Sequence, residues 1–224
     1  MIAFTERGFQ KGVNLEIEVS FVMKNWFIAL FCLVFCGVIQ AQNFEQEVLT
    51  FQEELNAHYK SKEKSPLEKK ARRKFKGHNF FPMNKKFRVV ARFEKADSTV
   101  SFAMKTSSTR LPMYDVYGKV YFEIDGVEYA LNVYQSHKSR ATEKYKNSLF
   151  LPFTDVTNGE ESYGGGRYLD LTIPEGNTMI IDFNQAYSPY CAYSSGYSCP
   201  IPPRENDLNI KVKAGVMNLE VAGH

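Results

Sequence analysis

Three consecutive glycines followed by an arginine, Tyr163-Gly164-Gly165-Gly166-Arg167, are of the type and spacing that could hold an anion. Successive glycines allow backbone conformations and close approaches that side chains forbid. Consecutive amides in such a loop can converge on a negative charge. An arginine beside them can grip a carboxylate or phosphate through two parallel hydrogen bonds. Asp182, Asn184, Glu205 and Asn206 would then orient the ligand, Asp155 would adjoin it, and Tyr163 and Tyr187 would form its walls. A competing reading is a glycine-rich turn whose arginine pairs with Asp155, Asp170 or Asp182. The loop lacks the Gly-Lys-Ser/Thr ending of a phosphate-binding P-loop.

Other chemistry is thinly signalled. Two of Asp155, Asp182 and Glu205 could share acid–base work, as in glycoside cleavage, although an aspartate between Thr154 and Thr157 also caps turns. Ser162 and Ser188 have no histidine nearby in sequence, and no Gly-x-Ser-x-Gly elbow occurs. The histidines (His58, His78, His137 and His224) are scattered without a pairing motif, which argues against a zinc site, and no cofactor is expected. Tyr187, Tyr190, Tyr193 and Tyr197 crowd around Cys191 and Cys199. Such a surface suits sugar rings or a protein partner, and it equally suits the covering of a barrel end.

The elements that must position these residues begin with a helix. Phe44, Val48, Phe51, Leu55 and Tyr59 form one apolar stripe, and Asn43 with Gln46 resembles a capping pair. Ser65-Pro66-Leu67-Glu68 signals a second short helix. The basic run from Lys60 to Lys76, interrupted by Glu63 and Glu68, reads as a solvated face or as a grip on an anionic surface. From Phe87 the period becomes two. Strands are expected over Phe87–Phe93, Thr99–Met104, Leu149–Phe153, Arg167–Ile173, Thr178–Phe183 and Leu208–Ala214. A hairpin is expected over Lys119–Tyr134, turning at Asp125-Gly126. Seven or eight short strands without intervening helices predict a mainly β fold: an antiparallel barrel or sandwich with one or two N-terminal helices.

Residues 23–41 read as a secretory signal peptide, with Lys24, an apolar run from Trp26 to Ile39, and a small residue at Ala41. The run is shorter than the ~20 residues that span a bilayer. Residues 1–22 precede a plausible initiator, Met23. The exported chain would start at Gln42, with a helical segment over 42–76 packed as one unit with a β domain over 77–224, and no transmembrane segment. The formal net charge of +3 is too small to imply nucleic acid. Cys32 and Cys36 fall in the signal segment, leaving Cys191 and Cys199 as a single pair in an oxidising compartment, which favours a disulfide.

Phe75-Lys76-Gly77-His78-Asn79-Phe80-Phe81-Pro82-Met83-Asn84-Lys85-Lys86-Phe87-Arg88-Val89 opens a series of motifs. It continues through Phe153-Thr154-Asp155-Val156-Thr157-Asn158-Gly159, the glycine loop, Asp182-Phe183-Asn184-Gln185-Ala186-Tyr187 and Cys199-Pro200-Ile201-Pro202-Pro203-Arg204-Glu205-Asn206. Over roughly residues 44 to 216 this series resembles the uncharacterised bacterial family DUF1684, here in a short, secreted form. The resemblance implies an all-β fold and the location of a site, and is silent on chemistry. Relatives without export signals keep similar cysteines, which leaves a packing or reactive role open for the pair.

Three functions are therefore expected. The first is an exported β domain binding a small anionic ligand at Arg167. The second is a metal-independent hydrolase using Asp155, Asp182 or Glu205. The third is an envelope module that contacts a partner protein.

Overall fold

The computed structural model of the chain describes residues 43–218. The expected leader, signal segment and start at Gln42, with Cys32 and Cys36, lie outside the described residues. Of the described residues, those up to Glu47 and those from Val48 onward belong to two separate units.

Helix α1 covers residues 43–60. Within the second unit its stripe buries Val48 and Tyr59 and half-buries Phe51 and Leu55, following the predicted spacing. Helix α2 spans Lys69–Lys74 and starts later than the proline signal suggests. The Ser65 hydroxyl donates to the Tyr59 carbonyl (2.6 Å) and accepts from the Leu67 N–H (3.1 Å), so it braces a turn instead of capping a helix.

Seven strands follow: β1 (Arg88–Ala103), β2 (Met113–Ile124), β3 (Val127–Ser136), β4 (Ser148–Asp155), β5 (Arg167–Thr172), β6 (Thr178–Asp182) and β7 (Asp207–Leu208), with a short helix α3 (His137–Arg140) after β3. They make one sheet in the order β5-β4-β3-β2-β1-β6, antiparallel throughout, while β7 pairs in parallel with β4. The two strands expected over Phe87–Phe93 and Thr99–Met104 are one long strand, β1, whose register shifts between Lys95 and Val100. Asp125 and Gly126 turn the β2–β3 hairpin with φ of 54° and 76°, the paired positive angles whose twist matches the flanking strands.

The mainly antiparallel β fold with N-terminal helices is as expected, and among the described residues the strands form one half-barrel sheet. Its inner face carries Val120, Phe122, Leu131, Leu149, Leu151, Phe153, Leu169 and Ile181. Each large side chain buried there contributes roughly 1.5–3 kcal/mol. Covering them is irregular chain: Phe183, Ala186, Leu208, Val212 and Ala214 belong to the same core. The strand expected over Leu208–Ala214 is reduced to the two residues of β7.

A buried segment without a ladder must satisfy its peptide groups in another way. Here scattered backbone bonds, such as those from the Val156 N–H to the Ile210 carbonyl (3.0 Å) and from the Val216 N–H to the Ala186 carbonyl (2.9 Å), share the work with side chains. Asn206 accepts from the Asn132 N–H (2.8 Å) and donates to the carbonyls of Asn132 (2.9 Å) and Pro152 (2.7 Å). Asn184 accepts from the Asn84 N–H (2.9 Å) and donates to the Asn84 carbonyl (3.0 Å). Arg167 donates to the carbonyls of Ala214 and Val212, and Asp155 accepts the Val212 N–H (2.9 Å).

Candidate functional site

The expected site residues separate into a buried structural set and a solvent-facing cleft. Arg167 starts β5 pointing into the core, with no exposed surface. Its guanidinium meets the Asp155 carboxylate at 2.9 Å and two carbonyls of the irregular cover. It is therefore a staple, and the expected anion clamp is corrected on this point: no face of the group is offered to a ligand from solvent. Desolvation lowers the Arg167 pKa, and the charge and hydrogen bond of Asp155 oppose the shift. Asp155 also accepts from the N–H (3.1 Å) and hydroxyl (2.8 Å) of Thr157, so the turn-capping and arginine-pairing readings both hold.

The glycines serve packing. Gly166 has φ of 86°, and a Cβ there would lie 2.6 Å from the Phe153 carbonyl oxygen. Its amide donates to the Tyr163 carbonyl (3.1 Å), closing a turn and not converging on an anion. Gly164 and Gly165 are exposed, and a Cβ on Gly165 would strike the ring of Tyr163. Asp182 is buried against Arg88 (2.8 Å) and accepts from the Asn184 amide groups. Glu205 is exposed beside the buried Asn206. Asp155 and Asp182 thus belong to two different buried networks, each with its own arginine, and the expected carboxylate pair is not assembled from them.

The opposite face of β5 is different. Period two sends Arg167 and Leu169 inward and places Tyr168 and Asp170 on the other side. There a cleft of about 540 Å³ opens, within the range that holds small organic ligands. Its walls are Tyr114 from β2, Phe150 from β4, Tyr168 from β5, Tyr187, Tyr190 and Tyr197. Tyr168 and Tyr187 are fixed by reciprocal backbone hydrogen bonds (2.9 and 3.0 Å) and meet edge to face, with ring centroids 5.8 Å apart. Phe150 meets Tyr168 in the same way at 4.8 Å. The Tyr168 hydroxyl donates to the Pro200 carbonyl.

Two charged groups frame the cleft. Arg110 stands exposed at its rim, oriented by bonds to the Ser198 hydroxyl (3.2 Å) and carbonyl (3.0 Å). Asp170 accepts a hydrogen bond from Tyr187. Although its surface reaches solvent, it sits in a concave surround of protein, and that desolvation raises its pKa against the opposing Tyr187 bond. Burial likewise raises the phenols of Tyr114, Tyr168, Tyr187 and Tyr190, the negative charge of Asp170 adding to the effect at Tyr187, Tyr190 and Tyr114. The cleft therefore presents apolar ring faces, with the Tyr168, Tyr187, Tyr190 and Tyr197 hydroxyls engaged by protein partners, and one oriented cation.

Cys191 and Cys199 are joined in a disulfide, with Cα atoms 6.3 Å apart. The loop it closes supplies Gly196, Tyr197, Ser198 and Cys199, a third of the residues lining the cleft, and Tyr190 and Pro200 flank it. Its outer side packs on the N-terminal helical segment: Tyr193 meets Tyr59 at 4.9 Å, and the Tyr190 hydroxyl bonds His58 (2.9 Å). Of the expected ligand residues, only Tyr187 lines the cleft. Arg110, Tyr114, Phe150 and Tyr168 were not singled out, and Asp170 was named only as a competing partner for Arg167. The signal for the last two was the alternation in Arg167-Tyr168-Leu169-Asp170-Leu171, which separates Arg167 from Tyr168 on any strand.

Among the described residues no group of three or more His, Cys, Asp or Glu side chains could hold a metal ion, and no helix is long and apolar enough to cross a membrane.

The fold and cleft define a mainly antiparallel β domain with an aromatic pocket on one sheet face. The family model described as "Protein of unknown function (DUF1684)" matches residues 73–217, and the chain belongs to that family. It is similar to the solution NMR structure of an uncharacterized protein of Haloarcula marismortui, with 31% identity and a TM-score of 0.63, covering 82% of this chain and 98% of that one. No curated protein matches the chain.

Proposed function

We propose that this domain binds a small ring-bearing organic acid in the tyrosine-walled cleft, and that it does so outside the cytoplasm. The cleft carries the reading: six aromatic side chains around about 540 Å³, with Arg110 fixed at the mouth. Ring faces accept an aromatic or sugar ring, and an oriented guanidinium pairs with a carboxylate. Asp170 disfavours a second negative group at the Tyr187 side, so the acid is directed to the Arg110 end. Export is supported by the signal-like segment over 23–41 and by the Cys191–Cys199 disulfide, a bond that persists in oxidising compartments.

Thermal-shift measurements with 4-hydroxybenzoate, glucuronate and their neutral counterparts phenol and glucose test this. At a hundred times its dissociation constant a ligand stabilises by roughly 2.7 kcal/mol, so one of the acids should raise the melting temperature while its neutral counterpart does not. Arg110→Ala should remove the shift, and Arg204→Ala, at an exposed arginine not lining the cleft, should keep it. A panel without shifts, or a shift indifferent to Arg110→Ala, would reject the proposal.

A further inference from the structure

The segment 60–76 concentrates charge to a degree the rest of the chain does not. It holds nine basic residues (Lys60, Lys62, Lys64, Lys69, Lys70, Arg72, Arg73, Lys74 and Lys76) and two acidic ones, Glu63 and Glu68, a net of +7. The whole chain carries +3, so everything outside these seventeen positions sums to −4.

The structure shows these cations held ready. Eight of the nine are exposed, and Arg72 is half-buried. Among the described residues none of the nine takes part in an ion pair, while the other exposed cations Lys86, Lys146, Lys211 and Lys213 do. Glu63 is engaged by the Ser61 hydroxyl (3.1 Å) and not by a lysine. Helix α2 buries no residue at all. A segment that only linked α1 to the sheet would need no fixed shape, yet this one is pinned at several points. Pro66 and Leu67 are buried, and the Tyr197 hydroxyl donates to the Pro66 carbonyl (3.3 Å). Phe75 packs on Tyr59 (5.6 Å), and Arg72 reaches the Lys62 carbonyl (3.4 Å), joining the two halves of the run.

We infer that the 60–76 face docks the protein onto an anionic phospholipid surface. Each lysine or arginine held near such a surface strengthens partitioning by about five-fold, so a few simultaneous contacts give measurable adhesion without membrane insertion. Nucleic acid offers the same charge, but a disulfide-bonded domain works in a compartment where lipid headgroups are the polyanion at hand. The remaining −4 turns the other faces away from the surface and orients the molecule. Because Tyr197 both lines the cleft and holds Pro66, the docked face borders the cleft wall. The docking itself does not depend on the cleft being occupied.

Co-sedimentation with phosphatidylcholine vesicles, with and without a minority of phosphatidylglycerol, tests this on the folded protein. Binding is expected only with phosphatidylglycerol and should be released by salt high enough to shorten the screening length well below about 8 Å. Lys69→Glu with Arg73→Glu should weaken it by more than about a hundredfold with an unchanged melting temperature. Lys119→Glu with Lys138→Glu makes the same change in net charge at exposed sites elsewhere, and should leave most of the binding in place. Equal binding to neutral vesicles, equal loss in the two double variants, or binding to duplex DNA without binding to vesicles would each overturn the inference.

Discussion

Arg167 and Asp155 form an ion pair at 2.9 Å with both side chains wholly shielded from solvent, one at the start of β5 and the other at the end of β4. Each also holds backbone of the irregular cover, so the pair joins the sheet to the layer that seals it. Removing one member of such a pair leaves an uncompensated buried charge. Arg167→Met should therefore cost about 3–5 kcal/mol, read as a drop in the urea midpoint. Adding Asp155→Asn should recover part of that loss, because neighbours in one network are not additive. A midpoint within error of the parent would remove the staple from the account of the fold.

Asn206 and Glu205 are adjacent yet should behave oppositely. Truncating Asn206 to Ala strands one N–H and two carbonyls, with a cost of about 1–3 kcal/mol for each group left unsatisfied. Glu205→Ala removes an exposed side chain and should leave the unfolding midpoint where it was. Chemical denaturation of the two single variants decides the matter, and equal effects would contradict it.

Stability should fall with acid in two separate windows. The His78 ring is buried among Tyr59 (4.4 Å), Phe75 (5.0 Å) and Tyr193 (5.3 Å). Asn56 Oδ1 accepts its backbone N–H, which makes the same oxygen the acceptor for Nδ1–H at 2.8 Å, and Nε2 has no partner. Burial lowers its pKa from 6.5 to about 4. The unfolded chain then binds the extra proton, so stability is intact above pH 6.5 and declines toward pH 4 by roughly 3 kcal/mol.

Asp115 belongs to the lower window. Desolvation raises its pKa, but hydrogen bonds from Ser101 (2.5 Å) and His137 (2.7 Å) and the charges of His137 and Arg140 outweigh this, and the net shift is downward. Its contribution is complete above the ordinary carboxylate pKa and is lost only as pH falls through the depressed value. Denaturation measured against pH should show both slopes, and His78→Phe should flatten the upper one alone.

Reduction should act on the cleft before it acts on the fold. The Cys191–Cys199 bridge closes the loop that carries a third of the cleft lining, while the sheet and its core lie elsewhere. With a dithiol reductant, fluorescence of the tyrosine cluster and any acid-induced thermal shift should change while the far-ultraviolet dichroism of the sheet persists. Simultaneous loss of both signals would mean that the bridge supports the whole domain.

The sequence made the local features legible: the apolar stripe of α1, the Asp125-Gly126 turn and the alternation that builds β1 to β6. These depend on neighbours in the chain. The burial of Arg167 does not, since it requires Asp155 from the end of β4 and Val212 and Ala214 from the irregular cover to meet at its guanidinium. Glycine, arginine, aspartate and asparagine in one motif read as a binding loop because the same groups satisfy a ligand or a buried peptide equally well. The cleft was hidden for a related reason. Tyr114 and Phe150 come together at 5.9 Å only through a sheet order that places β3 between their strands.

The irregular cover over the sheet bears on how the protein comes apart. A second β-sheet would keep its own ladder after separating, whereas residues 207–216 bond chiefly to other segments, through Arg167 and Asp155 and through the Val156, Phe81 and Val216 amides to the Ile210, Gly215 and Ala186 carbonyls, and lose these bonds on leaving. Opening of that layer is then a peeling event that bares Leu131, Leu151 and Phe153 together, creating an adhesive apolar sheet face while the strands stay paired. Amide exchange should report it, with the Val212 and Ala214 amides trading hydrogen faster than those of β2, and the same opening would be the protein's route into aggregates.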